Sequence, residues 1–142
     1  MIKVQSSVVI NKSAEEIYAY ASNSANSPKW QGGVESVVDD GPPNTVGSKY
    51  TEVRKFMGQE MKTTLEIVEV VPNVKWSAKV VKGPVPYTVT ITYEAANGGT
   101  KMTTMVEGEP TGFFKIAEGM VASQLEKSLG ENGEQLKKIL EG

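Results

Sequence analysis

Residues 112–141 read GFFKIAEGMVASQLEKSLGENGEQLKKILE, and this stretch decides the fold. Apolar residues recur at every fourth position from Phe113 to Leu129, which predicts one long amphipathic helix from Gly112 to Glu141. The apolar stripe comprises Phe113, Ala117, Val121, Leu125 and Leu129, widened by Ile116, Met120, Leu136, Ile139 and Leu140. At 1.5 Å per residue the helix would be about 45 Å long, and its apolar face needs a broad apolar surface to cover. We therefore expect the rest of the chain to supply that surface.

The amino-acid composition argues against several classes of function. The chain has 142 residues, 39% hydrophobic and 23% charged, which is ordinary for one globular domain over residues 1–142. A net charge of −2 leaves no basic stripe, so we expect no nucleic-acid partner. The sequence contains no histidine and no cysteine, which removes the commonest metal ligands, disulfides and a thiolate nucleophile. We therefore expect no metal and no cofactor, and any chemistry must use Asp, Glu, Lys, Arg, Tyr, Ser or Thr.

The hydrophobic segments of the sequence predict the cellular compartment of the protein. The N-terminus, MIKVQ, alternates like a strand and does not resemble a signal peptide. No stretch approaches the roughly 20 apolar residues that span a bilayer. We therefore expect a cytoplasmic protein without stable membrane insertion. A monomer and a homodimer both remain open.

Turn and cap signals divide the rest of the chain into strands and short helices. Residues 2–11 alternate in polarity and predict the first strand. Ser13 and Glu16 form a capping box that opens a short helix, and residues 28–33 predict a second helical turn or a tight loop. Residues 34–39 predict a short strand, and residues 48–109 predict a meander of further strands.

Three of the turn signals also predict which strand residues face each other. A turn at Gly58-Gln59 pairs Phe56 with Met61, Arg54 with Thr63, Glu52 with Leu65 and Tyr50 with Ile67. A turn at Pro72-Asn73 pairs Leu65 with Val80, Ile67 with Ala78 and Glu69 with Trp76. The Asn97-Gly98 turn pairs Val89 with Val106, Ile91 with Thr104 and Tyr93 with Met102. In all three hairpins the more apolar residues share one face, as a sheet with one buried side requires.

The other face of the predicted sheet is polar. It carries Lys62, Thr64, Glu66, Lys75, Ser77, Lys79, Thr88, Thr90 and Thr92, and we expect water on this side. The predicted order is therefore strand, two short helices, six strands and a long helix. This is an α+β fold in which a curved antiparallel sheet of about seven strands packs its apolar face against the C-terminal helix.

This order and several local motifs resemble a known superfamily. The motifs are Ser13-Ala14-Glu15-Glu16-Ile17-Tyr18 after the first strand, Pro28-Lys29-Trp30, Gly47-Ser48, Glu69-Val70-Val71-Pro72, and Pro110 before the final helix. Over the whole chain the sequence resembles the START-like, birch-pollen-allergen-like (SRPBCC) superfamily, in its polyketide cyclase/dehydratase-like branch. The resemblance implies a helix-grip fold with a ligand cavity between sheet and helix. It does not imply a fixed set of catalytic residues.

The inward surface is the first candidate site. One interpretation is a filled core, but small or polar inward residues such as Thr63, Ala78 and Thr104 alternate with large aromatic ones and would leave space between them. Apolar walls with a few hydroxyl groups suit a small lipophilic molecule. The candidate ligand-binding residues are Trp30, Tyr50, Arg54, Leu65, Ile67, Trp76, Ala78, Tyr87, Val89, Ile91, Tyr93, Met102, Thr104, Phe113, Ala117 and Met120.

Glu52 and Arg54 are the second candidate site. The predicted register places both on the inner face, about 7 Å apart along one strand. In one interpretation they lie at the mouth of the cavity, within reach of water. In the other they form a polar anchor inside it, where Arg54 would bind a carboxylate or enolate and a desolvated Glu52 could move a proton.

The sequence thus leads to two main hypotheses. The first is a protein that binds, and so transports or sequesters, a small hydrophobic or aromatic molecule. The alternative is a cyclase, dehydratase or hydrolase that uses Glu52, Arg54 and a tyrosine, with Tyr87, Tyr50 or Tyr93 as candidates. A protein-interaction module is a third option, which would require a large exposed apolar patch.

Overall fold

The computed structural model describes residues 1–142 apart from the side chain of Phe113. The strands are β1 (Ile2–Ile10), β2 (Val34–Asp40), β3 (Lys49–Phe56), β4 (Gln59–Val71), β5 (Lys75–Lys82), β6 (Tyr87–Ala96) and β7 (Gly99–Gly108). The helices are α1 (Ala14–Ala21), α2 (Ser27–Trp30), α3 (Phe113–Ile116) and α4 (Glu118–Glu141), with a 3₁₀ turn at Ser24–Asn26.

All seven strands form one antiparallel sheet in the order β1-β7-β6-β5-β4-β3-β2. The chain runs through β2 to β7 as a meander, and β1 then pairs with β7, so β1 and β2 are the two edges. The long helix α4 packs along β1 and crosses the inner face. The predicted α+β architecture is therefore confirmed.

The C-terminal region differs from the single helix expected for residues 112–141. Ala117, with φ −101° and ψ 27°, separates α3 from α4. Ile116 is 90% exposed and Met120 is 65% exposed, so their predicted place on the apolar inner stripe is wrong. At about 100° per residue, Met120 lies roughly 140° around the helix from Leu125. A single helix face cannot hold both residues. Phe114 of α3 is buried.

Polar contacts fasten α4 to the rest of the protein toward its C-terminal end. Asn132 Oδ1 accepts a hydrogen bond from the Gly32 amide at 2.9 Å. Lys137 Nζ donates to the Val9 carbonyl at 2.6 Å, and Glu141 Oε2 accepts from the Asn11 amide at 2.7 Å. These contacts hold the helix across the sheet while Val121, Leu125 and Leu129 line the space between the two.

The turn between β3 and β4 is one residue earlier than predicted. Met57 and Gly58, with φ of 53° and 76°, form its centre, as a two-residue hairpin turn with two positive φ angles requires. Arg54 therefore faces Met61 and not Thr63, and the other predicted pairs shift in the same way, so that Phe56 faces Gln59, Glu52 faces Thr63 and Tyr50 faces Leu65. Because the shift is two residues, every side chain keeps its predicted face.

The remaining hairpins agree more closely with the predicted pairing. Leu65 faces Val80 and Ile67 faces Ala78 as predicted, but a bulge follows in β4 and Trp76 faces Val70 where Glu69 was expected. In the β6–β7 hairpin all three predicted pairs are confirmed, including Tyr93 with Met102.

One residue of the predicted wet face is buried. Ser77 is only 5% exposed. Its hydroxyl group is satisfied there, since it lies 3.0 Å from that of Thr90 and donates to the Val89 carbonyl at 3.2 Å. The capping prediction is confirmed for the serine, since Ser13 Oγ accepts from the Glu16 amide at 3.1 Å. In the part of the chain that is described, no helix is both long and apolar enough to cross a membrane.

Candidate functional site

A cavity of about 190 Å³ lies between the inner face of the sheet and α4. Its walls come from strands of the whole sheet, from α1 and α2, and from α4, and most of the lining side chains are apolar. Two buried clusters flank it, one around Ile17 and Leu136 and one around Val106 and Val121, and members of both line the space. Side chains therefore do not fill the interior.

The structure brings most of the predicted ligand-binding residues to this cavity. Those that line it are Trp30, Tyr50, Arg54, Leu65, Ile67, Trp76, Tyr87, Val89, Ile91, Tyr93, Met102 and Thr104. Ala78 is fully buried, but its single methyl group is not part of the wall. Ala117 lies at the helix break and packs against a core cluster, and Met120 faces away from the cavity. The predicted Phe113 side chain lies outside the described part of the chain.

Several wall residues were not predicted. Phe114 packs against Phe56 with ring centroids 6.2 Å apart, and Val85 and Pro110 line the cavity from loops. The four-residue repeat, which selects Phe113, gave no signal for the neighbouring Phe114. Gln31 was missed because it follows α2 in a segment without periodicity.

Glu52 and Arg54 lie on the cavity wall. Arg54 Nε donates to Glu52 Oε2 and Arg54 Nη2 donates to Glu52 Oε1, both at 2.9 Å. Arg54 Nη2 also donates to Gln31 Oε1 at 3.1 Å. The carboxylate side chain is 9% exposed and the guanidinium 20% exposed. The two charges therefore form a closed, bidentate ion pair with most of the surrounding water excluded.

Arg54 is partly exposed and also borders a second cleft. A second cleft, of about 210 Å³, is lined by Arg54 and Asn132 together with the loop at Gly32 and the residues around Phe56. Arg54 therefore lies on the wall between the cavity and an outer cleft. Burial lowers the pKa of the guanidinium, but the Glu52 carboxylate beside it outweighs that effect and the net pKa is raised.

Two tyrosines complete the polar part of the cavity. Burial raises the pKa of Tyr50 well above its usual value, with smaller contributions from Tyr87 and Glu52. Burial and the Glu52 carboxylate raise the pKa of Tyr87 to about 12, although Arg54 acts in the opposite direction. Both phenols therefore keep their protons at neutral pH and can donate hydrogen bonds, but neither supplies a phenolate base.

The two tryptophans carry polar atoms without partners. Trp30 Nε1 and Trp76 Nε1 are buried and have no hydrogen-bond partner among the described residues. Trp30 is 5% exposed, and Trp76 packs against Tyr50 with ring centroids 6.1 Å apart. An unpaired buried donor costs about 1–3 kcal/mol. Each nitrogen has almost no accessible surface, so a ligand in the cavity does not reach it.

Comparisons with known proteins agree with this geometry. A family model described as polyketide cyclase / dehydrase and lipid transport matches residues 1–141. No curated protein matches the sequence.

Among solved structures, TTHA0849 from Thermus thermophilus superposes with a TM-score of 0.84 at 16% identity, over 96% of this chain and 94% of that one. Ginseng major latex-like protein 151 from Panax ginseng superposes with a TM-score of 0.76 at 13% identity, over 96% of this chain and 95% of that one. Ara h 8.0201 superposes with a TM-score of 0.73 at 13% identity, over 99% of this chain and 98% of that one. At these identities the structures establish a shared fold.

Proposed function

Because this chain belongs to the polyketide cyclase / dehydrase and lipid transport family, we propose that it binds a small hydrophobic or aromatic molecule in the cavity beneath α4. The binding would serve transport or sequestration. The observation that carries this proposal is the open, largely apolar space of about 190 Å³ in the interior. A water needs roughly 10–15 Å³, so the space suits a molecule of on the order of ten to twenty heavy atoms. Apolar walls with few polar groups are the usual environment of such ligands.

Ligand content of the purified protein tests the proposal directly. Solvent extraction followed by mass spectrometry should recover a lipophilic compound in a stoichiometric amount. Aromatic probes of matching size should raise the melting temperature and change the tryptophan fluorescence. Fluorescence is informative because the chain has two tryptophans and both line the cavity. If no compound is recovered and no probe shifts either signal, the proposal is wrong.

Two neighbouring threonines of β7 provide a matched pair of variants. Thr104 lines the cavity, whereas Thr103 lies on the opposite face and shares a hydrogen bond with Ser7. Thr104→Phe should fill part of the space and weaken probe binding. Thr103→Phe adds the same bulk outside and should leave binding unchanged. Equal binding by the two variants would place the ligand elsewhere.

An enzymatic function is the second candidate, and the polar cluster of Glu52, Arg54, Tyr50 and Tyr87 favours it. In a dehydration, Glu52 would take a proton from the carbon next to a ketone while Arg54 and a tyrosine stabilise the enolate oxygen. Glu52 would then pass that proton to the β-hydroxyl group, whose C–O bond breaks as water leaves and the enone forms. For that step, Glu52 would have to loosen its two bonds to Arg54, which is why we rank binding first.

The enzymatic alternative is tested with aryl β-hydroxyketones of the cavity's size. Conversion to the enone, followed by mass spectrometry, should be abolished in Glu52→Gln and strongly slowed in Tyr87→Phe. Recovery of unchanged substrate from wild-type protein that binds it would contradict this function.

The partner, the cellular location and the oligomeric state that the sequence predicted remain proposals. We propose a small lipophilic molecule as the partner, without nucleic acid or membrane insertion. The cytoplasmic location is tested by fractionation. Sedimentation analysis distinguishes the monomer from the homodimer.

A further inference from the structure

The charges on the cavity wall leave no place for an anionic ligand. Glu52, Arg54 and Asp39 are its charged residues among those the structure describes, which gives two carboxylates against one cation. The cation is already bound by both oxygens of Glu52 and by Gln31. Asp39 is exposed and accepts a hydrogen bond from Ser24 Oγ at 2.7 Å. A carboxylate ligand would have to compete with Glu52 for Arg54 while meeting two like charges.

The uncharged polar groups of the wall instead favour an acceptor. The indole N–H groups of Trp30 and Trp76 have almost no accessible surface, so the donors that a ligand in the cavity can meet are phenol groups. The phenol groups of Tyr50 and Tyr87 lie close enough to each other and to Glu52 to interact electrostatically, and both are protonated at neutral pH.

We propose that the cavity selects an uncharged, aromatic or lipophilic molecule that carries a hydrogen-bond acceptor such as a ketone or quinone oxygen, and discriminates against carboxylates. This inference rests on the proposed binding function and specifies its ligand class. The acceptor oxygen takes hydrogen bonds from the wall donors, and the closed ion pair of Glu52 and Arg54 excludes anions.

Three naphthalene probes of equal size test the selection. 2-Acetylnaphthalene has an acceptor and no charge, 2-isopropenylnaphthalene replaces its C=O by C=CH₂, and 2-naphthoate is a carboxylate ionised at pH 7. Their dissociation constants for the wild-type protein are measured by calorimetry. The ketone should bind about fivefold or more tighter than the alkene, equivalent to about 1 kcal/mol. The naphthoate should bind at least about tenfold more weakly than the ketone.

A charge variant should reverse the discrimination. Glu52→Gln keeps the size of the side chain but leaves Arg54 without its carboxylate. The affinity for naphthoate should therefore rise about tenfold or more, while the affinity for the ketone should change little. Glu60→Gln is the control, because Glu60 is an exposed β4 residue that does not line the cavity. It should change neither affinity. If Glu52→Gln folds and naphthoate gains nothing, the charge argument is wrong.

A second variant tests the acceptor and does not disturb the ion pair. Tyr87→Phe removes one hydrogen-bond donor of the cavity wall. It should lower the affinity for the ketone several-fold and leave the affinity for the alkene unchanged. Equal losses for both probes would contradict a hydrogen bond at this position.

The two levels of the proposal fail in different ways. If none of the three probes binds and no lipophile is recovered from the protein, the binding function itself is wrong. If the probes bind but naphthoate is preferred, or the alkene equals the ketone, binding stands and the ligand class is wrong.

Discussion

The buried ion pair of Glu52 and Arg54 allows a quantitative test of the site. Replacing either residue by glutamine leaves the other charge in the cavity wall without its partner. Removing one member of a buried pair costs about 3–5 kcal/mol, whereas replacing both removes the unpaired charge. The carboxylate side chain is 9% exposed and the guanidinium 20%, so water can relieve an orphaned Arg54 better than an orphaned Glu52. Arg54→Gln should therefore destabilise the protein more than Glu52→Gln.

The double variant isolates the interaction between the two charges. The free energies of unfolding of wild type, both single variants and the double variant are measured by urea denaturation at pH 7. Because the pair is bidentate and shielded from water, we expect a coupling energy of about 2–3 kcal/mol, at the upper end of contacting pairs. The coupling should change little with added salt, since a buried pair is poorly screened.

The pair between Lys75 and Glu69 is the matched control. Its Nζ–Oε1 distance of 3.0 Å is nearly the same, but its side chains are 39% and 47% exposed. The same cycle there should give less than about 1 kcal/mol and should weaken with salt. If the two cycles gave equal coupling energies, burial would not govern the Glu52–Arg54 pair, and the exclusion of anions argued from it would fail.

Three further measurements test the fold. Gly130→Ala should raise the free energy of unfolding by about 1 kcal/mol, whereas Gly133→Ala should gain less, because its Cβ would meet Val8 Cγ1 at 3.2 Å. Ser13→Ala should lower the free energy by about 1 kcal/mol, since it removes the cap of α1; calorimetric melting measures it. Because the pKa of Tyr87 is raised to about 12 in the folded protein, stability should fall as pH rises from about 10 to 12, and less so in Tyr87→Phe. A flat alkaline profile in wild type would contradict this.

The sign of the alkaline effect follows from proton binding. Between the unfolded and folded pKa values of Tyr87, the folded protein keeps a proton that the unfolded chain releases. The contribution of Tyr87 to the free energy of unfolding is therefore fully present below about pH 10 and is lost as the pH approaches about 12.

The sequence alone determined the architecture because period and turn chemistry are local. Alternation of polar and apolar residues assigned each strand side chain to a face, and a two-residue error in the β3–β4 pairing did not change that assignment. The Asn97-Gly98 turn gave the β6–β7 pairing correctly, since both residues adopt the positive φ that such a turn needs. Most of the ligand-binding residues that the same rules predicted do line the cavity.

Only the tertiary structure decided what the inner face contains. Helical periodicity could not reveal the break at Ala117, which turns Ile116 outward and places Phe114 inside. Spacing along β3 placed Glu52 beside Arg54, but whether the two charges meet each other or water depends on Gln31 and on the layers that exclude solvent. The unpartnered indole groups and the open space are likewise properties of packing between distant segments, and packing is a sum over contacts that no local pattern contains.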